Sequence, residues 1–225
     1  MNRDERHDRA GELAPQIMDE QYGIHAPLDP VGGGTWIAYN NAGYWACIVN
    51  GYSENVITPD TDYKSRGHII PEILANQDPL SYAENFQPKN YLSFRLIVGS
   101  QDDVNVYSWN GQDYCSTGFD GTHNTDEAFF ISSSSWEQAK VIGIRKKIFA
   151  EWAKNNTTPD DIPEYHFSSS PDQESAPFMY RSYSRTKSIT TMNIQNADIT
   201  MSHRLIPLEM HQGTQKQPDL KIISA

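Results

Sequence analysis

Residues 91–98 set Leu92, Phe94, Leu96 and Val98 against Ser93, Arg95 and Ile97, a repeat of two that fits a β-strand with one buried face. A lone strand leaves its backbone donors and acceptors unpaired, so this segment requires neighbours in a sheet. The chain supplies them. Residues 35–39 and 44–50 are β-rich and flank Asn40-Asn41-Ala42-Gly43, turn residues that tolerate positive φ, which predicts a hairpin. Residues 104–109 and 112–117 enclose Asn110-Gly111, a dipeptide suited to a type I′ turn because both central residues need φ above zero. A late pair, residues 184–194 and 197–205, is joined through Gln195-Asn196.

Helices fall between these strands. Asp78 followed by Pro79 supplies an N-cap and a first-turn proline, after which Leu80, Ala83 and Phe86 share a face. Ser134 with Glu137 three residues on has the spacing of a capping box, and Val141, Ile144, Ile148 and Trp152 then recur at helical intervals as far as Asn155-Asn156. Residues 65–75 predict a further helix with Ile69, Ile70, Ile73 and Leu74 inward and Pro71 early in it. Residues 167–177, small and polar with two prolines, predict an exposed loop, and residues 211–225 a loose tail. No repeat of fixed period and no heptad occurs. The expected architecture is an α+β body in a single domain over residues 1–225.

Lys and Arg number 18 against 29 Asp and Glu, a formal charge of −11. That field repels phosphate backbones, which makes nucleic acid a poor partner. No apolar run approaches the roughly 18 residues of a membrane helix, and residues 1–30 lack the layout of a secretory signal. No integral membrane segment and a cytoplasmic location are expected. Cys47 and Cys115 have no Cys-x-x-Cys spacing and are expected as small buried or half-buried hydrophobes in a reducing compartment; a bridge between them depends on Cα separation, which spacing does not settle. The seven histidines, His7, His25, His68, His123, His166, His203 and His211, show no ligand spacing, so no metal is expected. Gly32-Gly33-Gly34 lacks a following Lys-Ser or Lys-Thr and is expected as a turn, and Trp36, Trp45 and Trp109 as packing residues of strands.

Several segments in order carry a resemblance. Asn2-Arg3-Asp4-Glu5, Gly33-Gly34-Thr35-Trp36-Ile37-Ala38, the turn and strand at 41–50 and Ser65-Arg66-Gly67 together resemble the NRDE family, also called the transport-and-Golgi-organisation family. The similarity is specific to about residue 75 and looser at 91–98, 132–135 and 185–193. It implies a fold similar to N-terminal-nucleophile hydrolases, an αββα sandwich of two antiparallel sheets flanked by helices. In such folds the residue after the initiator Met is the nucleophile and its own amine the base. In the family, Asn-Arg-Asp-Glu follows a first strand beginning Met-Cys. Here residue 2 is Asn, whose amide is no nucleophile, and Cys47 and Cys115 lack the free amine. No catalytic residue is expected in the chain as written. Either Met1 is an internal methionine with about a dozen residues, one strand and its turn, upstream, or the chain is a shortened, non-catalytic member.

The resemblance makes Asn2, Arg3, Asp4 and Arg66 the ligand-binding candidates. Arg3 would bind a carboxylate or polarise a carbonyl, and Asp4 would orient an amine. The structural alternative is that Arg3 and Asp4 make ion pairs fastening a strand, with Asn2 closing a turn. Arg66 is either a ligand for an anion at a helix N-terminus or a solvated first-turn arginine. The implied function is binding or trafficking of a small ligand such as heme or an acyl metabolite, with heme as a ligand and no cofactor required. The alternative is hydrolysis of an amide C–N bond by a nucleophile upstream of residue 1. Oligomeric state is not legible here.

Overall fold

The computed structural model describes residues 1–52, 62–117, 129–155, 158, 161–169, 172–196, 198–211 and 222–223. In chain order the strands are β1 (Asn2–Arg6), β2 (Leu13–Asp19), β3 (Ile24–Leu28), β4 (Ile37–Tyr39), β5 (Trp45–Asn50), β6 (Phe94–Gly99), β7 (Val104–Trp109), β8 (Tyr114–Ser116), β9 (Ser184–Gln195), β10 (Asp198–Leu205) and β11 (Ile222–Ile223). The helices are α1 (Ile69–Leu74), entered through a 3-10 turn at Arg66–His68, α2 (Pro79–Glu84), α3 (Gln138–Asn155), α4 (Ile162–His166) and α5 (Leu208–His211). The chain divides into two compact units. One comprises Met1–Gly11, Ser134–Asn193 and Thr200–Ala225, the other Glu12–Ser133 and Ile194–Ile199.

The second unit carries a seven-stranded antiparallel sheet in sequential order from β2 to β8. Its β4–β5 hairpin forms where Asn40 to Gly43 predicted it, with Gly43 at φ 85°. The expected strand is β6, paired between β5 and β7. Phe94, Leu96 and Val98 are buried as the alternation requires, but Ile97, expected on the polar face, is also buried at 5% exposure. The β7–β8 hairpin also forms, though not through a type I′ turn. Of the two central residues only Gly111 has positive φ, and Asn110 Oδ1 instead accepts from the amides of Gln112 and Asp113 at 2.8 and 2.7 Å, closing a four-residue loop.

Helix α1 packs Ile69, Ile70, Ile73 and Leu74 with no exposure, worth about 1.5–3 kcal/mol for each side chain, and Pro71 sits in its first turn as expected. Helix α2 begins at Pro79 with Asp78 as N-cap, its carboxylate accepting from Ser81 N at 3.0 Å. Strands β2 and β3 are absent from the sequence expectations. Pro15 and Pro27 interrupt the strand pattern, and β2 is a mostly exposed edge whose Leu13 and Ile17 are 45% and 55% accessible, so no buried face marks it.

The first unit is built on the order β1-β9-β10-β11. The late pair forms as predicted, with Asn196 at φ 50° in its turn. A cluster of Phe178, Ile189 and Ile206, flanked by Phe167 and Met210, forms part of its core. Helix α3 covers the predicted stretch, but there is no capping box. Ser134 Oγ accepts from Trp136 N at 3.2 Å and donates to Trp136 O at 2.6 Å, while Glu137 takes φ 40° and pairs with Lys140. The helix therefore starts at Gln138. Residues 172–177 lack helix and strand, yet Ser175 and Ala176 are fully buried, which corrects the expectation of an exposed loop. Residues 170–171 of that loop, and 212–221 and 224–225 of the tail, lie outside the described residues.

Candidate functional site

Asn2, Arg3 and Asp4 all belong to β1, so Asn2 does not close a turn. Arg3 stands opposite Ser188 and Asp4 opposite Thr186, with a register shift between Arg3 and Asp4. Such a bulge re-aims side chains out of strict alternation. Asp4 Oδ1 accepts from Thr186 Oγ1 at 2.7 Å and Asp4 Oδ2 from Arg145 Nη2 at 3.1 Å. Arg145 is 7% exposed and also donates from Nε to the carbonyls of Ser175 and Ala176 at 3.2 and 3.1 Å. One side chain thus joins α3, the buried 175–176 backbone and β1.

Asn2 Nδ2 donates to the carbonyls of Pro177 and His166 at 2.7 and 3.1 Å, and its Oδ1 is buried without a hydrogen bond among the described residues. Arg3 is 8% exposed and lies 3.5 Å from the Glu5 carboxylate. The Met1 ammonium donates to Thr190 O at 2.6 Å. Burial first, and the positive Met1 ammonium second, hold His166 well below the ordinary histidine pKa, so its imidazole is neutral at pH 7. Of the ion pairs expected as the structural alternative, Asp4 with Arg145 ties β1 to α3, whereas Arg3 stands beside Glu5 of β1 itself.

Arg66 belongs to the other unit. It sits in the 3-10 turn before α1 and is half-buried, which corrects the picture of a solvated arginine. Its Nη1 donates to Ser93 O at 2.8 Å. Burial lowers its pKa, with Tyr52 acting weakly in the opposite sense, and no carboxylate pairs with it among the described residues. The following residue explains the placement. Thr35 N donates to Gly67 O at 3.0 Å, and a Cβ on Gly34 would stand 2.5 Å from the Gly67 carbonyl carbon. Gly33-Gly34-Thr35-Trp36 and Ser65-Arg66-Gly67 are therefore in backbone contact that only glycine permits.

Two arginines escaped the sequence analysis. Arg145 falls four residues after Val141, and a charge on that otherwise apolar stripe was the available signal. Arg181 is 5% exposed, donating to Glu174 O at 2.9 Å and Ser134 Oγ at 3.2 Å, with its guanidinium 5.1 Å from the centre of the Trp136 ring. No sequence signal marks it.

Cys47 and Cys115 are free thiols on β5 and β8. Cys47 is half-buried as expected, with burial raising its pKa to about 11. Cys115 is exposed on an edge strand, against expectation, because β8 has no partner beyond it among the described residues. His7, His25, His203 and His211 each have a hydrogen-bond partner, and His123 lies outside the described residues. Among the described residues there is no group of three or more His, Cys, Asp or Glu able to hold a metal, and no helix is long and apolar enough to cross a membrane.

Comparison with known proteins gives one family. The family model described as Transport and Golgi organisation 2 matches residues 1–219. No curated protein matches the chain.

Proposed function

We propose, from the premise that this chain belongs to the Transport and Golgi organisation 2 family, that it binds or carries a small anionic ligand, heme or an acyl metabolite, with Arg66 as anchor. The observation behind this is the state of Arg66. Its guanidinium is partly desolvated, makes one bond to a backbone carbonyl and pairs with no carboxylate among the described residues. A desolvated, uncompensated cation gains most from an anion that arrives from outside. Arg145 differs, being held by Asp4, and Arg181 is sealed against Trp136.

On this proposal Asn2, Arg3 and Asp4 act by fixing β1, and heme is cargo, so no resident cofactor is needed. The relation to N-terminal-nucleophile hydrolases is part of the same proposal. Two antiparallel sheets, with helices between their strands in sequence, support it. The free thiols Cys47 and Cys115 support a reducing compartment.

Titrating the purified protein with heme should shift the Soret band and saturate at about one equivalent, and Arg66→Gln should weaken binding about tenfold. Acyl-CoA titration followed by tryptophan fluorescence identifies the cargo if heme fails. No saturation with either, or unchanged affinity in the variant, overturns the proposal.

A further inference from the structure

An open cleft of about 750 Å³ lies in the second unit where the β2–β3 turn, the β4–β5 turn and the end of α1 converge. Its walls are tied together. Asn40 Nδ2 donates to Leu74 O at 3.0 Å, Asn40 Oδ1 accepts from the amides of Ala42 and Tyr44 at 3.1 Å each, and Asn41 N donates to Gly23 O at 3.2 Å. Gly23 has φ 58°, and a Cβ there would lie 2.3 Å from Asn41 Nδ2, so the two turns are pressed into contact.

The lining holds polar groups that the protein does not use. Asn41 Oδ1 meets His25 Nε2 at 3.1 Å and Asn76 Nδ2 donates to Glu72 O at 2.7 Å, which leaves Asn41 Nδ2 and Asn76 Oδ1 without a hydrogen bond among the described residues. The side chains of Glu20, Gln21, Tyr22 and Gln77 make no hydrogen bond among the described residues, and the Tyr22 ring is 38% exposed. This inventory is selective. Among the described residues the lining contains no Lys, Arg or His, and Glu20 repels negative charge, so a phosphate or carboxylate finds no counterion there. Its only aliphatic side chains among the described residues are Ala42 and Ala75, too little for a hydrocarbon tail. Carboxamides and a carboxylate match hydroxyls that both donate and accept, and an exposed aromatic ring takes the C–H face of a pyranose.

We propose that this cleft binds a neutral saccharide unit, stacked on Tyr22 and hydrogen-bonded by Asn41, Asn76 and Gln77. The proposal is independent of the anion reading at Arg66. It is tested with the ¹⁵N-labelled full chain by following the amides of Gly23, Asn41, Ala42, Asn76 and Gln77. Methyl glucoside, methyl galactoside, methyl mannoside and N-acetylglucosamine are each added to about 100 mM, well above the millimolar affinity of a single sugar. At least one should give saturable shifts at these amides, with Tyr22→Ala about tenfold weaker and Gln77→Ala about threefold weaker. Both sites are exposed, so the remaining spectrum of each variant should stay unchanged. Absence of saturation with every sugar overturns the proposal. So does an equal or stronger response to acetate, phosphate or N-acetyl-trialanine amide, or full affinity in Tyr22→Ala.

Discussion

Asp4 is a single carboxylate satisfying two donors, Thr186 and the 7% exposed Arg145. Its removal takes a carboxylate partner from the buried Arg145 guanidinium, and breaking a buried ion pair is costly. Asp4 itself is 26% exposed, which tempers the loss. Asp4→Ala should lower unfolding stability by about 2–4 kcal/mol, measured by urea denaturation. A loss under about 0.5 kcal/mol would place the pair with ordinary surface contacts. The sequence shows why Arg3 and Asp4 suit ion pairing, and the structure has both so engaged. It does not show Asp4's partner, because Arg145 lies 141 positions away and only the fold brings them together.

Elements set the position of Arg66, the proposed anchor. The 3-10 turn reaches its place because Gly34 allows the backbone at Gly67 to approach. Gly34→Ala should separate the two segments and cost about 1–3 kcal/mol, with a matching fall in affinity for the ligand proposed at Arg66. An unchanged melting temperature would show that the contact yields cheaply. Hairpins and helices were legible wherever a turn signal met a clean period, as at Asn40 to Gly43, Asp78-Pro79 and Val141 to Trp152. The failures have local causes. Ser134 has the spacing of a capping box, but its hydroxyl is taken by Trp136 and Arg181. Asn110 uses its side chain to close the loop without entering positive φ. Ile97 is buried on the face where the alternation places polar residues, and periodicity does not encode what covers that face.

At the scale of the whole molecule, stability depends on acidity through buried imidazoles. Burial holds both His166 and His211 below the ordinary histidine value, the latter despite a bond to Thr186 O. Unfolding frees them to take protons near pH 6.5, so the unfolded state binds more protons below that point and stability falls as pH drops through it. Asp8 and Asp172 have lowered pKa values and stay ionised there, so they do not confuse the window. The urea midpoint should be lower at pH 5.5 than at pH 7.5, and His166→Gln should narrow the difference. Equal midpoints at the two pH values would contradict neutral native imidazoles.

Strand β1 pairs with β9, and its Asp4 meets Thr186 across 182 positions of sequence. During synthesis at roughly 5–20 residues per second, β1 leaves the ribosome about 10–40 s before the strand that completes it. Throughout that interval its backbone is an open edge beside a growing nascent chain, a natural client for a chaperone.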